Sequence, residues 1–289
     1  MLNFICNPIS GNSKASKAIN TIRAELERLN IEYEFHLTEE KRHATRLARQ
    51  LTKEGYSDIV VIGGDGTLHE VLNGIHDPSK TNLGIIPCGS GNDFANKAKI
   101  PEAPLDALKL ILSGNAKYTD YMVCSGIRGI NIMGTGVDVE ILKRCYNSKI
   151  LKGKLKYAIS TLISIISYKY PHVEAHFNGK DIERDCFIVC TANGSVFGGG
   201  ITIAPNAVID DGKLDFVLVN GMRGKRKPDA LLHLASGKIL DIPETEFCNT
   251  ESIKAVFNSP VDIQIDGEIY SGINYNVNIV HNKLKVYRP

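Results

Sequence analysis

Residues 59–74 constrain the fold more than any other part of the chain. They begin with 59–62, an apolar, β-branched run whose length suits a strand buried on both faces. Gly63-Gly64-Asp65-Gly66-Thr67 follows, and its glycines permit a tight turn and close approach of the backbone to a ligand. Apolar residues then recur at helical spacing, at Leu68, Val71 and Leu72. The segment therefore predicts a strand, a glycine turn and a helix N-terminus, an arrangement that favours a bound phosphate.

This glycine turn carries a carboxylate at its centre. It matches neither the dinucleotide fingerprint G-x-G-x-x-G nor the Walker loop G-x-x-x-x-G-K-[ST]. Asp65 would repel a phosphate unless a cation lay between them. The turn is thus typical of a loop for a magnesium nucleotide, with Asp65 near the metal or near an attacking hydroxyl. An ordinary βα loop without a ligand is the alternative that the pattern leaves open.

Strands and helices alternate over the first 120 residues or so. The apolar runs predict strands at 2–6, 32–37, 58–62 and 83–87, with amphipathic helices between them. Such alternation predicts a parallel, doubly wound sheet, in which ligands bind beyond the carboxyl ends of the strands. Four notable segments fall at those ends: Asn7–Gly11, Thr38, Gly63–Thr67 and Gly89–Asp93.

Short alternating runs dominate after residue 120 and predict an antiparallel sandwich or barrel. We therefore predict two domains, 1–120 and 121–280, and residues 281–289 could return to the first. One helix is predicted at 153–168. It is either a core helix or, because Lys149, Lys152, Lys154 and Lys156 accompany it, a lipid-facing wall or membrane surface. The basic run 223–227 could extend that surface or be a solvated loop.

The composition excludes some classes of protein. An apolar content of 43%, a charged content of 23% and a net charge of +2 indicate a globular protein and give no support for nucleic-acid binding. We see no signal peptide and no run long enough to span a bilayer, and the cysteines form no C-x-x-C pair. The expectation is a cytoplasmic protein with free thiols.

Several segments resemble motifs of the diacylglycerol kinase catalytic family, which includes bacterial lipid kinases and sphingosine kinases. Residues 63–74 are similar to its nucleotide loop, 7–11 to its N-P-x-[SA]-G loop and 89–95 to its G-[ST]-x-N-D-[FL]-A segment. In the second region, 191–194, 198–215 and 264–268 also resemble family segments, in the same order. The resemblance implies a first domain like those of phosphofructokinases and NAD kinases, joined to a β-sandwich.

The resemblance also implies the residues of an ATP and Mg²⁺ site. Glu268 is implied as the general base, with Asp65 as the rival base or as a magnesium-side ligand. A structural Mg²⁺ would bind the Asp211 carboxylate and the backbone carbonyls of Val208 and Lys213, unless Asp211-Gly212 is simply a hairpin turn. His69 is expected to cover the nucleotide loop. The nucleotide-binding residues would be Asn7, Pro8, Ser10, Gly11, Thr38, Gly63, Gly64, Asp65, Gly66, Thr67, Ser90, Asn92 and Asp93.

The function that the resemblance implies is transfer of the γ-phosphoryl group of ATP to a lipid hydroxyl, with diacylglycerol to phosphatidic acid as the leading reaction. The lipid would be met at a membrane surface to which the protein binds peripherally, and a homodimer is left open. Two alternatives stand beside this prediction: an NAD kinase-like enzyme, and a nucleotide-responsive lipid-binding module without turnover.

Overall fold

The first part of the chain alternates strands and helices, as its apolar pattern predicts. The computed structural model describes residues 1–147, 168–224, 226–272 and 274–289. The elements are β1 (Leu2–Cys6), α1 (Ser10–Arg28), β2 (Tyr33–Leu37), α2 (His43–Lys53), β3 (Asp58–Gly63), α3 (Asp65–Gly74), β4 (Asn82–Pro87), α4 (Asp93–Lys97) and α5 (Pro104–Leu112). A short 3-10 turn, Pro78–Lys80, precedes β4.

These four strands are parallel and lie in the order β2-β1-β3-β4. Helix α1 packs with α5 and α2 packs with α3, as right-handed crossovers on the two faces of the sheet require. The chain leaves β1 toward β2 on one side and leaves β3 toward β4 on the other. The strand order therefore reverses between β1 and β3, and the crevice for a ligand opens above their carboxyl ends.

Burial explains why these segments form this layer. Each residue from Ile59 to Ile62 is fully buried, as expected for a strand with helices on both faces. Helix α1 buries Ala15, Ala18, Ile22 and Leu26, whose spacing of three or four residues places them on one face. The predicted doubly wound parallel sheet is confirmed.

The rest of the chain is rich in antiparallel strands. The strands are β5 (Ala116–Cys124), β6 (Ile127–Gly129), β7 (Ile132–Gly136), β8 (His172–Phe177), β9 (Lys180–Ala192), β10 (Val196–Phe197), β11 (Ile201–Thr202), β12 (Leu214–Asn220), β13 (Thr245–Thr250), β14 (Ser252–Phe257), β15 (Asp262–Ile265), β16 (Glu268–Ser271) and β17 (Tyr275–Tyr287). Helices α6 (Val137–Asn147) and α7 (Arg226–Ala235) and the 3-10 turn Ile239–Asp241 complete this part. The predicted antiparallel β-sandwich is confirmed.

Strand β9 joins the two sheets of the sandwich. Its residues 180–185 pair with β8, whereas residues 188–192 pair with β7 on one side and residues 186–192 pair with β12 on the other. The apolar side chains of this region form two clusters, one around Phe187 and one around Phe216. The sandwich thus buries a layer on each side of the shared strand.

Strand β17 belongs to both parts of the molecule. It pairs antiparallel with β5 and β14, and then Lys285 and Val286 pair parallel with Asn82 and Leu83 of β4. The parallel sheet is therefore extended by a strand from the far end of the sequence.

The predicted helix at 153–168 and its lysines lie outside the described residues, apart from Tyr168. Within the ranges that the structure describes, no helix is both long and apolar enough to cross a membrane. The cysteines of the same ranges that have described side chains are free thiols.

Candidate active site

A cavity of about 630 Å³ lies above the carboxyl ends of β1, β3 and β4. Its floor consists of the three loops that follow these strands. Its other walls come from the β6–β7 and β10–β11 connections, from α6 and from the β15–β16 hairpin. The cavity thus lies where the strand order reverses between β1 and β3, and the two parts of the chain meet at the same place.

The three loops of the floor pack backbone against backbone. A Cβ on Gly64 would lie 2.8 Å from Gly89 Cα, and one on Gly11 would lie 1.9 Å from the Cys88 carbonyl oxygen. Gly11 also has a φ of 59°, which disfavours any residue with a side chain. Only glycine fits at these points, so at Gly11 and Gly64 the floor presents backbone to a ligand.

Polar side chains tie the loops together beneath this floor. Asn7 donates from Nδ2 to Thr67 Oγ1 at 3.2 Å, which links the first loop to the second. Asn92 closes its own turn, because Oδ1 accepts the Gly89 N–H at 2.8 Å and Nδ2 donates to the Gly89 carbonyl at 3.2 Å. These side chains shape the cavity without lining it.

The structure therefore divides the predicted nucleotide-binding residues into two groups. Those that line the cavity are Ser10, Gly11, Gly64, Asp65, Gly66, Ser90 and Asp93. Those that lie behind the wall or beside it are Asn7, Pro8, Thr38, Gly63, Thr67 and Asn92. At the end of β2, Thr38 donates its backbone N–H to the Cys6 carbonyl at 2.8 Å.

Two carboxylates of the floor influence each other. Burial, with repulsion from Asp93 as the next cause, raises the pKa of Asp65 to about 6, although the backbone N–H groups of Asn92 and Phe94 act to lower it. Burial also raises the pKa of Asp93, opposed by the hydrogen bond that Gly199 N–H donates to its Oδ2 at 3.0 Å. Two such carboxylates form a site at which a cation would be stabilised.

Glu268 approaches this floor from the second part of the chain. The turn Asp266-Gly267 has φ values of 51° and 88°, as in a type I′ hairpin, and places Glu268 at the start of β16. A Cβ on Gly66 would lie 3.8 Å from Glu268 Oε1. Glu268 Oε2 accepts a hydrogen bond from Lys41 Nζ at 2.6 Å, and both side chains are partly exposed. Glu268 and Asp65, which come from different parts of the chain, thus line one cavity.

The sequence did not reveal how the turn of this hairpin is held. The Asp266 carboxylate accepts the backbone N–H groups of Ile130 at 2.9 Å, Asn131 at 2.9 Å and Ile132 at 3.1 Å. His69 was expected to cover the nucleotide loop. Instead it contacts the hairpin, and its Nδ1 lies 3.3 Å from Asp266 Oδ2. One signal was available: His69 follows Asp65 by four residues, so a helix places both on one face.

The predicted structural metal loop lies away from the cavity. Val208, Asp211 and Lys213 are exposed, and none of them lines the cavity. Asp211 Oδ1 accepts the Lys213 N–H at 3.0 Å, and the neighbouring Gly212 N–H donates to Asp120 Oδ2 at 2.7 Å. No cluster of three His, Cys, Asp or Glu side chains is arranged to hold a metal in the part of the chain that the structure describes. The metal role of these residues stays a prediction.

Comparison with known families decides the classification of the chain. Residues 1–124 match the family model of the diacylglycerol kinase catalytic domain, and residues 131–288 match that of the YegS C-terminal NAD kinase beta sandwich-like domain. The second model matches more than half of the chain, which therefore belongs to the family with a YegS C-terminal domain, and its first part matches the diacylglycerol kinase catalytic domain. The predicted family and the prediction of a kinase of this family are confirmed, whereas the acceptor that it phosphorylates is a separate question.

Curated relatives of the chain span almost its whole length. A probable lipid kinase YegS-like from Xanthomonas oryzae pv. oryzae is 28% identical over 291 residues, covering 96% of this chain and 92% of that protein. A diacylglycerol kinase from Bacillus subtilis is 26% identical over 273 residues, covering 93% and 90%. The crystal structure of a putative diacylglycerol kinase from Bacillus anthracis str. Sterne superposes with a TM-score of 0.79 at 23% identity, covering 100% and 96%. That likeness shows the shared fold.

Proposed function

We propose that this protein transfers the γ-phosphoryl group of ATP to the primary hydroxyl of diacylglycerol, forming phosphatidic acid. The observation that carries the proposal is the arrangement of the cavity: a glycine floor with two interacting carboxylates, faced by a third carboxylate on a hairpin of the other domain. Phosphoryl transfer needs phosphate positioning, charge neutralisation and a placed nucleophile, and these features supply groups for each.

The residues of the floor fit a magnesium nucleotide. The backbone of Gly64 and Gly66, at the N-terminus of α3, lies where phosphates can approach closely, since these two residues have no Cβ. Asp65 and Asp93 are the residues that would hold Mg²⁺, which commonly takes one or two carboxylates and completes its shell with phosphate and water. When bound, Mg²⁺ would neutralise charge on the β- and γ-phosphates.

Glu268 is the proposed general base. The acceptor hydroxyl oxygen forms a bond to the γ-phosphorus, the bond from that phosphorus to the β–γ bridging oxygen breaks, and the hydroxyl proton passes to Glu268. Oε2 is engaged by Lys41, whereas Oε1 faces the Gly66 side of the cavity. Asp65 is less suited to this role in the loaded site, because a carboxylate bound to a cation accepts a proton less readily.

An apolar part of the cavity wall supports a lipid acceptor. Ile132, Leu142 and Phe197 line the cavity on the side away from the glycine floor. A hydroxyl on an acyl glycerol could reach the carboxylates while its apolar remainder lies against these side chains. We further propose that the protein binds a membrane surface peripherally when it takes up this acceptor.

The test uses the intact protein with γ-labelled ATP, Mg²⁺ and vesicles that contain diacylglycerol. Labelled phosphatidic acid is the expected product. Glu268→Gln should retain ATP binding and lose the labelled product, while Glu251→Gln, at an exposed position outside the cavity, should behave as wild type. Retained turnover in Glu268→Gln would overturn the assignment of the base.

The same assay separates the alternatives. NAD replaces the vesicles in a parallel reaction, and label on NAD instead of lipid would favour an NAD kinase-like activity. Vesicle binding without label on either acceptor would favour a module without turnover. Sphingosine, a sterol-like alcohol and monoacylglycerol in separate vesicles then define which acceptor is preferred.

A further inference from the structure

The two residues that lie two positions before and after Glu268 bind the same imidazole ring. His69 Nε2 lies 2.7 Å from the Tyr270 hydroxyl, and His69 Nδ1 lies 3.3 Å from Asp266 Oδ2. His69 belongs to α3, directly after the glycine turn, whereas Asp266 and Tyr270 belong to the hairpin of the other domain. Helix α3, which begins at the glycine turn, therefore contacts the hairpin on both sides of the proposed base through His69.

Hydrogen bonding assigns the tautomer of this histidine. The Asp266 carboxylate can only accept, so Nδ1 carries the proton and donates to it. In the neutral imidazole, Nε2 is then the acceptor, and the Tyr270 hydroxyl donates to it. Asp266 in turn accepts three backbone N–H groups from residues 130–132. Each contact has one defined direction, which fixes the orientation of the ring.

Burial makes these contacts consequential. His69 and Asp266 each have 3% of their side chains exposed, so water does not compete well for either group. Glu268, by contrast, is 30% exposed and its pairing with Lys41 joins two solvent-accessible side chains. His69 thus contacts the hairpin at the buried Asp266 and at Tyr270, and the more exposed Glu268 lies between these two residues.

We propose that His69, Asp266 and Tyr270 form a clamp, here called the His69 clamp, that positions Glu268 over the glycine floor. His69 is a positioning residue: it touches neither the cavity nor the reacting atoms. The inference rests on the proposed function, because it assigns Glu268 the role of base. Its physical content is that loss of the clamp slows phosphoryl transfer while the nucleotide floor, built from other residues, still binds ATP.

Two mild variants test the clamp without emptying the core. Tyr270→Phe removes only the hydroxyl, and His69→Asn keeps a donor near the position of Nδ1 but loses the acceptor for Tyr270. Both should lower kcat to a similar extent, about 5- to 10-fold, the worth of one hydrogen bond. His69→Ala removes both contacts and should cost about 100-fold in kcat, the effect of a small misplacement of a catalytic group. The KM for ATP should stay within about twofold in all three.

Tyr275→Phe is the matched control. The Tyr275 hydroxyl is buried, whereas Tyr270 is half-buried, and it bonds Thr191 Oγ1 and the Met133 carbonyl, each at 3.0 Å, outside the cavity. It should lower the Tm at least as much as Tyr270→Phe, because its hydroxyl is more buried and makes two contacts, and it should leave kcat unchanged. Equal kcat in Tyr270→Phe and Tyr275→Phe would overturn the clamp, as would an increase in the KM for ATP that accounts for the whole loss of activity.

A measurement without turnover keeps this inference separate from the proposed function. Amide hydrogen exchange of residues 130–132 and 264–271 should be faster in His69→Ala than in wild type, and unchanged in Tyr275→Phe. Absence of lipid phosphorylation by wild type would refute the proposed function but leave this readout intact. Unchanged exchange in His69→Ala would refute the clamp even if the wild type is fully active.

Discussion

The carboxylates of Asp65 and Asp93 face one point above Gly91. A Cβ at Gly91 would lie 3.0 Å from Asp65 Oδ2 and 3.5 Å from Asp93 Oδ2. Two partly buried carboxylates directed at the same small volume repel each other, and that repulsion contributes to the raised pKa of Asp65. The free protein therefore holds in its active-site floor an unfavourable interaction that a cation would relieve.

The first prediction concerns stability against pH in metal-free buffer. The pKa of Asp65 is about 6 when folded, above the value near 3.9 of an unfolded aspartate. Between these values the folded state holds a proton that the unfolded state releases, so the free energy of unfolding falls as pH rises. Asp65→Asn has no proton to lose at this position. Its free energy of unfolding, relative to that of wild type, should therefore increase by about 1–2 kcal/mol from pH 4 to pH 7.5.

Urea unfolding with EDTA at both pH values measures this gain. Asp215, whose pKa burial and Asp211 also raise to about 6, contributes in the same direction and is unaffected by the substitution. The pH-dependent loss of stability that Asp215 causes is therefore the same in both proteins, and it cancels when the variant is compared with wild type. A difference between the two proteins that does not change with pH would contradict the prediction.

A second prediction follows from the relief of that repulsion. Millimolar Mg²⁺ with a non-hydrolysable ATP analogue should raise the Tm of wild type more at pH 7.5 than at pH 5, because Asp65 must lose its proton to bind the cation. In Asp65→Asn the increment should be small and nearly independent of pH. Thermal shift assays at matched ligand concentrations check this, and an equal increment in both proteins would exclude Asp65 as a ligand.

The third prediction compares two glycines of one loop. Gly64→Ala would place a Cβ 2.8 Å from Gly89 Cα and should force the second and third loops apart. We expect it to weaken ATP binding at least tenfold and to destabilise the fold by about 1–3 kcal/mol. Gly66→Ala meets nothing closer than 3.8 Å and lies in the first turn of α3, so its stability should be unchanged or slightly higher.

Calorimetric titration measures the ATP affinity of both glycine variants, and urea unfolding measures their stability. Together they distinguish a clash at one position from the effect of adding a methyl group to the loop. The decisive comparison is between the two substitutions, since they add the same atoms two residues apart. Similar stability of Gly64→Ala and Gly66→Ala would show that the loop can move aside without cost.

The fourth prediction concerns the exposed loop at Asp211. Asp211→Asn keeps an oxygen that can accept the Lys213 N–H but loses the charge, whereas Asp211→Ala loses both. If Mg²⁺ binds there, Asp211→Asn should lose a metal-dependent rise in Tm while its Tm in EDTA matches wild type. Asp211→Ala should be lower in both buffers. A metal response unchanged in Asp211→Asn would leave this loop as an ordinary turn.

Local patterns allowed much of the first domain to be predicted. The apolar runs placed β1 to β4 within a residue or so, because strands buried on both faces need continuous apolar sequence. The glycine turns marked the loops above the sheet. The strand order, which brings the loops after β1 and β3 to one crevice, depends on tertiary pairing and leaves no trace in either strand.

Contacts between the two domains could not be predicted from the sequence. His69 and Asp266 are 197 positions apart, and each sits in a segment with a sufficient local explanation, a helix and a hairpin turn. Asn92 shows the opposite case: its place in a ligand-like motif predicted a binding residue, yet its amide satisfies the backbone of its own turn. Side-chain hydrogen bonds of this kind are set by geometry that neither spacing nor residue type specifies.

Strand β17 makes assembly of the parallel sheet dependent on synthesis of the second part of the chain. Its residues Lys285 and Val286 cover β4, so a nascent chain that ends before them presents β4 as an open edge. Closing that edge requires contacts separated by some two hundred residues, which slow folding. Completion of β17, rather than of the first hundred or so residues, should thus be the point at which the proposed ATP site can acquire its final shape.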